Sequence, residues 1–560
     1  MGAAGHSAIN VNENSAGTVT INNSGTIGQS VSAGTTAALT ENGGTVIINN
    51  NGQIDGSVNT SNTGAFTGTL NNNAGASWQA GHIDDEGTIV ASGAGTAITI
   101  VGVSNGIDTG NTGTGNLTVE AGATVTADYL NVGQFVGSHG TAVITGAGTT
   151  LNTTYGQYQN IGVGYDGTAS LTIADHAVVT TTQMDVAVFH DVGVTDTLDV
   201  NNATLNVSQG LTVADAGTAH ATVENGGSIT AAFLTIANQP GSTGALTVDG
   251  AGSVVTATSG LTMGFSGGSA TLTVTHGGAV DVGTDATTIA GAVHVGSLDS
   301  LQGTGTINGN FVDDGHVTAV GASGTGAKLD VTGAVTGTGT FSIATAAHLE
   351  FGSSVAASDS IVFQNSTGSL VLDQSSSFAG IISGFTGDGS LSGSDQIDLK
   401  DINYSSGSFS TTFDAAHDTL LVSDGTNSAI LQFVGNYVAQ NFKFTSDGNG
   451  GTIVYDPPVG TGGTQAPNTG SPSDGFKFAD SGHTAYIPQQ VGETLPTGMV
   501  AVPTPDLKTG ALGGVDSKDS LLGANQIQGC FWGGSLGCNG AVDFVRRGVG
   551  AEGAADHRSA

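Results

Sequence analysis

The residues best placed to do chemistry in this 560-residue chain are the neighbouring acids Asp84-Asp85-Glu86 and Asp313-Asp314. Two carboxyls ~6.5–9.5 Å apart serve an inverting glycosidase, and adjacent turns of a stacked β structure could hold them at that spacing. The basic partners that such sites use on acidic sugars are missing. Nine Lys and Arg stand against 45 Asp and Glu, a net charge of −36, and the first of the nine is Lys328. The region before it can build no cationic clamp, oxyanion-stabilising Arg or Schiff-base Lys. Its negative surface would also repel uronate polymers, and nucleic acid is excluded because phosphate binding needs Lys and Arg. These acids therefore read as solvated turn residues, and no catalytic residue is expected. Carboxylates from adjacent turns converging in one cleft would instead favour an enzyme.

Metal chemistry is limited. Asp395 and Asp398 in SGSDQIDL and Asp447 in SDGNGG are the calcium candidates, although a calcium-binding repeat needs a tandem array and hairpin turns explain Asp-Gly and Asn-Gly equally well. No cofactor is expected, with calcium left open. His176, His220 and His276 take different places relative to the repeated Leu-Thr-Val run and lack short HxH partners, so they read as exposed turn residues rather than zinc ligands. Cys530 and Cys538 enclose FWGGSLG. Their spacing suits a small disulfide loop in an oxidising compartment and fails for a redox CxxC motif.

The elements that must carry these residues are repeats. The runs NLTVEAGATVTADYLNVG from Asn116, SLTIADHAVVTTTQMDVA from Ser170, HATVENGGSITAAFLTIA from His220 and ALTVDGAGSVVTATSGLTMG from Ala245 are variants of one unit. The first apolar residue of each copy falls at 117, 142, 171, 198, 221, 246 and 272. Within Leu-Thr-Val, alternation sends Leu and Val inward and Thr outward. Thr118, Thr172, Thr222, Thr247 and Thr273 thus form an outward column, one Thr per turn, as ordinary exposed strand surface. Strands this short cannot bury a face within one copy, so the copies must stack. With no helical pattern of crossover length, the expected fold is all-β: a right-handed parallel β-helix, or β-solenoid, with a C-terminal β cap and a largely disordered tail.

Segmentation follows the lettering. Residues 1–114 form Asn- and Gly-rich coils, in which TVTINNSGTI from Thr18 and TVIINNNGQI from Thr45 lie 27 residues apart; stacked Asn side chains can bond between turns. Residues 115–295 hold the repeats and 296–348 later coils. Residues 349–457 are denser in large apolar residues, including Phe409, Phe413, Leu420, Leu421, Leu431, Phe433, Tyr437 and Phe442, and are expected to close the stack as a cap or small sandwich. Eight of nine prolines lie at 457 or beyond, so 458–560 reads as a Pro/Gly-rich linker and tail, in which DGFKFADSGHTAYIP could form one or two strands. No cleavable N-terminal signal or transmembrane run is seen.

The units from 115 to 283, with GTGTINGNFVDDGHVTAVGASGTGAKLDVTG at 303–333, resemble repeats in passenger regions of type V autotransporters and related bacterial exported proteins. LEFGSSVAASDSIVF, SGSDQIDLKDI and SDGNGGTIVYDPP, within 349–457, are similar to a module of large secreted repeat proteins from alphaproteobacteria. The resemblance implies an exported protein at the bacterial cell surface or in the extracellular space, non-catalytic and structural or adhesive, with surface glycans, matrix or other cells as partners. The competing readings are an extracellular polysaccharide-cleaving β-helix enzyme and a truncated remnant of a larger secreted protein.

Overall fold

The computed structural model describes residues 18–455, except 29–36, 42–44, 60–65, 154–159, 190–192, 284–291 and 322–326, together with 9–11, 478–480 and 483–485. Cys530 and Cys538 and most of 458–560 lie outside the described residues. Within that stretch, Phe478–Asp480 and His483–Ala485 pair as an antiparallel hairpin.

From Thr18 to Leu399 the described residues form an all-β parallel solenoid. A representative turn has three strands, Thr168–Ala174, Val178–Thr181 and Met184–Val186, and each pairs in parallel with its counterpart in the next turn. Leu117, Ala142, Leu171, Leu198, Ala221, Leu246 and Leu272 are successive direct ladder neighbours. The seven positions read as repeat starts are therefore one interior column. The reason is the period of two: in Thr168–Ala174 every second side chain is buried, and a one-residue slip would turn the whole apolar set outward.

Two further columns satisfy the polar backbone inside the stack. Near the front, Asn23 Nδ2 donates to Asn50 Oδ1 at 2.7 Å, and Asn50 Nδ2 to Asn72 Oδ1 at 2.6 Å. At the corner before the first strand, aspartates reach back one turn. Asp196 and Asp299 accept the amides of Ala169 and Ala270 at 2.7 and 2.8 Å; Asp395, which precedes a second strand instead, accepts that of Gly368 at 2.8 Å. This corner overturns the reading of the paired acids as solvated for two of them, whereas Asp314 is exposed as expected. Asp85 and Asp313 are fully buried, each accepting the amide two residues on, from Gly87 and Gly315, at 3.0 Å. The turn there is too tight for those amides to find a backbone partner, so the side chain turns inward.

Burial without full pairing makes this corner sensitive to pH. Asp359 is fully buried and its carboxylate makes no close hydrogen bond; burial, then the charge of Asp313, pushes its pKa from 3.8 up to about 6, with the backbone amide of Ala356 opposing the rise. Its contribution to stability is fully present below the unfolded value and is lost as pH rises through about 6. Thermal melts should show stability falling between pH 4 and pH 7. Asp359→Asn should flatten that fall and melt above the parent at neutral pH; an unchanged slope would show that Asp359 is not the group responsible.

Towards the C-terminus the aliphatic core becomes aromatic. Phe341 packs on Phe311 and Phe351 with ring centroids 5.8 and 5.0 Å away. Parallel pairing continues past residue 349 to Ile381–Ser383 and Gln396–Leu399. One ladder is then extended in parallel by the last strand of an antiparallel meander, and the other is closed by an antiparallel strand. Ser410–Asp414, Thr419–Ser423 and Ser428–Val434 form a meander whose last strand pairs with Ile381–Ser383, and Thr452–Tyr455 pairs antiparallel with Gln396–Leu399. Leu420, Leu431, Phe433, Tyr437 and Phe442 are buried there. Leu421 is not: strand alternation points it outward, opposite Ile430.

Candidate functional site

The third strand of each turn carries the densest chemistry. Its central outward position reads Asp84, Asp108, Asn131, Gly162, Asp185, Thr212, Thr235, Thr262 and His294 along the stack, each a ladder neighbour of the next. At the front of this column, Asp108 accepts from Asn131 Nδ2 at 2.7 Å and lies 3.3 Å from His82 Nε2. Burial raises the pKa of Asp108, opposed by His82 and Asn131 and reinforced by Asp84. Asp84 is likewise raised, chiefly by burial.

Aromatic rings border the same face. Tyr129 lies over Gly106 and Tyr165 over Gly162, where an added Cβ would come within 2.4 and 2.2 Å of the rings; only glycine admits that approach. Burial pushes the Tyr165 phenol up to about 12. Tyr165 also packs on Phe189 at 5.9 Å between centroids. Four phenylalanines, Phe135, Phe189, Phe233 and Phe265, are 51 to 67% exposed. Phe233 and Phe265 flank a cavity of about 290 Å³ whose wall includes Thr235, Asn238, Thr262 and His294.

Chemically, this face offers hydrogen-bonding acids, amides and hydroxyls along its floor and apolar rings at its edges. Sequence reading followed the first Leu-Thr-Val run of each copy and missed it. The signal was present in the last run: Thr212, Thr235 and Thr262, in GLTVA, FLTIA and GLTMG, repeat at intervals of 23 and 27 residues.

Of the residues singled out from sequence, Asp84 heads this column and the others fall elsewhere. Thr118, Thr172, Thr222, Thr247 and Thr273 share one half-exposed ladder position, interrupted by Val143 and Asp199. Asp395 spends both carboxylate oxygens on the amides of Gly368 and Thr386. Asp447 caps its own turn, accepting from Asn449 and Gly451 at 2.7 Å. Asp398 faces outward in that region, and burial followed by the Asp447 charge pushes its pKa up to about 6. Nearby cations are already engaged: Lys328 bridges Asp330 and Glu350, and Lys400 bridges Glu350 and Asp373. Among the described residues no group of three or more His, Cys, Asp and Glu is arranged to hold a metal. His176 and His276 occupy tight turns with left-handed backbone, φ 67 and 50°, whereas His220 is an exposed strand residue.

No protein-family model, curated protein or solved structure matches the chain. No helix among the described residues is long and apolar enough to cross a membrane.

Proposed function

We propose that this chain is an exported bacterial repeat protein, held at the cell surface or released from it, whose role is structural or adhesive rather than catalytic. The observation that carries the reading is the uninterrupted parallel register from Thr18–Asn23 to Ile381–Ser383, which repeats one outward lateral face turn after turn. Such a stack presents many weak contacts at once, and linked contacts give avidity without a deep pocket. The partners that suit it are surface glycans, matrix or neighbouring cells. Fractionation of the native cells should place the full-length chain in the surface or extracellular fraction. Confinement to the cytoplasm would overturn the reading.

One observation favours a second reading, a polysaccharide-cleaving site. Asp84 and Asp108 come from adjacent turns and are direct ladder neighbours. Ladder neighbours lie ~4.8 Å apart, close to the ~5–5.5 Å of a retaining glycosidase pair. Asp108, however, is committed to Asn131 and His82 and is nearly buried. Release of reducing sugar from a polysaccharide panel, abolished by Asp108→Asn, would establish the enzyme.

A further inference from the structure

The four exposed phenylalanines are costly for a chain whose aromatics make up only 5% of its residues. Each leaves more than half of its surface in water, forfeiting apolar burial worth roughly 25 cal/mol per Å². They are not scattered. Phe233 begins a third-strand segment, pairing with Gly210 and Gly260. Phe135, Phe189 and Phe265 follow third strands, and the amides of all three bond to the preceding turn. Other large apolar side chains exposed before residue 350, Val103, Val136 and Leu298, lie in loops next to the same strand. An apolar set gathered on one side of an otherwise polar surface marks a binding site.

We propose that the third-strand face binds a neutral polysaccharide chain, with sugar rings lying against Phe233, Phe265 and the aromatic side chains before them, and sugar hydroxyls bonded to the polar floor. The proposal deepens the adhesive reading above and rests on it for where the glycan is met.

Three features select this ligand. First, the apolar rings are separated by a polar column rather than joined into one patch: Thr212, Thr235 and Thr262 are half-exposed between them. A protein partner would bury a contiguous apolar centre, whereas a sugar ring has apolar C–H faces and a hydroxyl rim that match this alternation. Second, the site is extended. Thr212, Thr235, Thr262 and His294 are successive half-exposed ladder neighbours, so a linear polymer meets a polar side chain at each turn of ~4.8 Å there, and the cavity between Phe233 and Phe265 gives one ring a recessed seat. Third, the charge is of one sign. The floor carries Asp84, Asp108 and Asp185, and no Lys or Arg precedes Lys328, so uronate and sulfated polymers are repelled.

The test uses the purified full-length chain in affinity electrophoresis and calorimetry with soluble β-glucan, xyloglucan, galactomannan and amylose, and in pull-down on insoluble cellulose and chitin. Polygalacturonate serves as the charged comparison. At least one neutral polymer should bind, and polygalacturonate should not. The double variant F233A/F265A should weaken binding about tenfold or more, since stacked aromatics dominate such contacts, with an unchanged circular dichroism spectrum. Ile430→Ala, on the exposed face of the cap, should leave binding unchanged. Failure of every neutral polymer to bind, or equal binding by F233A/F265A, would overturn the proposal. So would wild-type self-association in sedimentation that F233A/F265A abolishes, because the face would then be an interface between copies. Fractionation judges the surface reading separately: glycan binding by a cytoplasmic protein would sink adhesion and leave the site standing.

Discussion

Replacing Phe341 by alanine should cost about 3–5 kcal/mol, the usual range for truncating a buried phenylalanine. Phe341 is fully buried between Phe311 and Phe351, with ring centroids 5.8 and 5.0 Å away. The ladder holds its position rigidly, because Thr340–Ile343 pairs on both sides, with His316–Ala319 and Ser360–Phe363. The neighbouring turns cannot close into the void without breaking their own register, so little of the cavity should relax. In a stacked fold each turn is stabilised mainly by its neighbours. The loss should therefore appear as faster amide exchange centred on residues 316–363, together with a lower urea midpoint. A change below about 1 kcal/mol would mean that the solenoid collapses around the void far more readily than close-packed interiors do.

The second large effect is expected at the front of the stack. Asn50 is fully buried and makes four side-chain hydrogen bonds. Nδ2 donates to Asn72 Oδ1 and Ser77 O at 2.6 and 3.1 Å, while Oδ1 accepts from Asn23 Nδ2 and Gly52 N at 2.7 and 3.2 Å. Asn50→Leu keeps the volume and removes those bonds. Asn23 Nδ2 keeps its bond to Gln53 O at 3.0 Å; counting two of the other groups as left unpaired, at about 1–3 kcal/mol each, the cost should reach about 2–6 kcal/mol, read as lost exchange protection over residues 45–80. Asn49→Ala is the control. Asn49 belongs to the parallel, half-exposed ladder with Asn22 and Asn71, where water replaces the lost bonds, so it should change stability by about 0.5 kcal/mol or less. Equal effects at the two positions would show that stacking, and not burial, sets the value of an asparagine ladder.

The repeat phase could be read from sequence because it depends on local alternation and on a spacing that each turn must restore. Leu117, Leu171 and Leu272 were legible as one column since any other phase would expose them. The Asn ladder was legible for a similar reason: Thr18 and Thr45 head nearly identical strands, and their direct pairing aligns the asparagines that follow. The inward turn of Asp85 and Asp313 was not. Whether an acid in a Gly-rich break meets water or a stranded amide depends on how sharply the chain turns there, and on what the turn below presents.

The sequence by itself determined that this chain is a stack of short parallel strands with a period of about 25 residues, because apolar alternation and glycine breaks leave no other way to bury the strands. Only the tertiary structure decided which outward column matters. Thr118 and Thr235 look alike in the sequence, both lying between two apolar residues. The fold gives them different neighbours. Phe233 on its own strand, Phe265 just after the next turn's strand and His294 two turns on surround one, while the other stands in a column with Val143 and Thr172. Proximity across turns depends on loop path as well as register, and a linear reading contains only the register of the first strand.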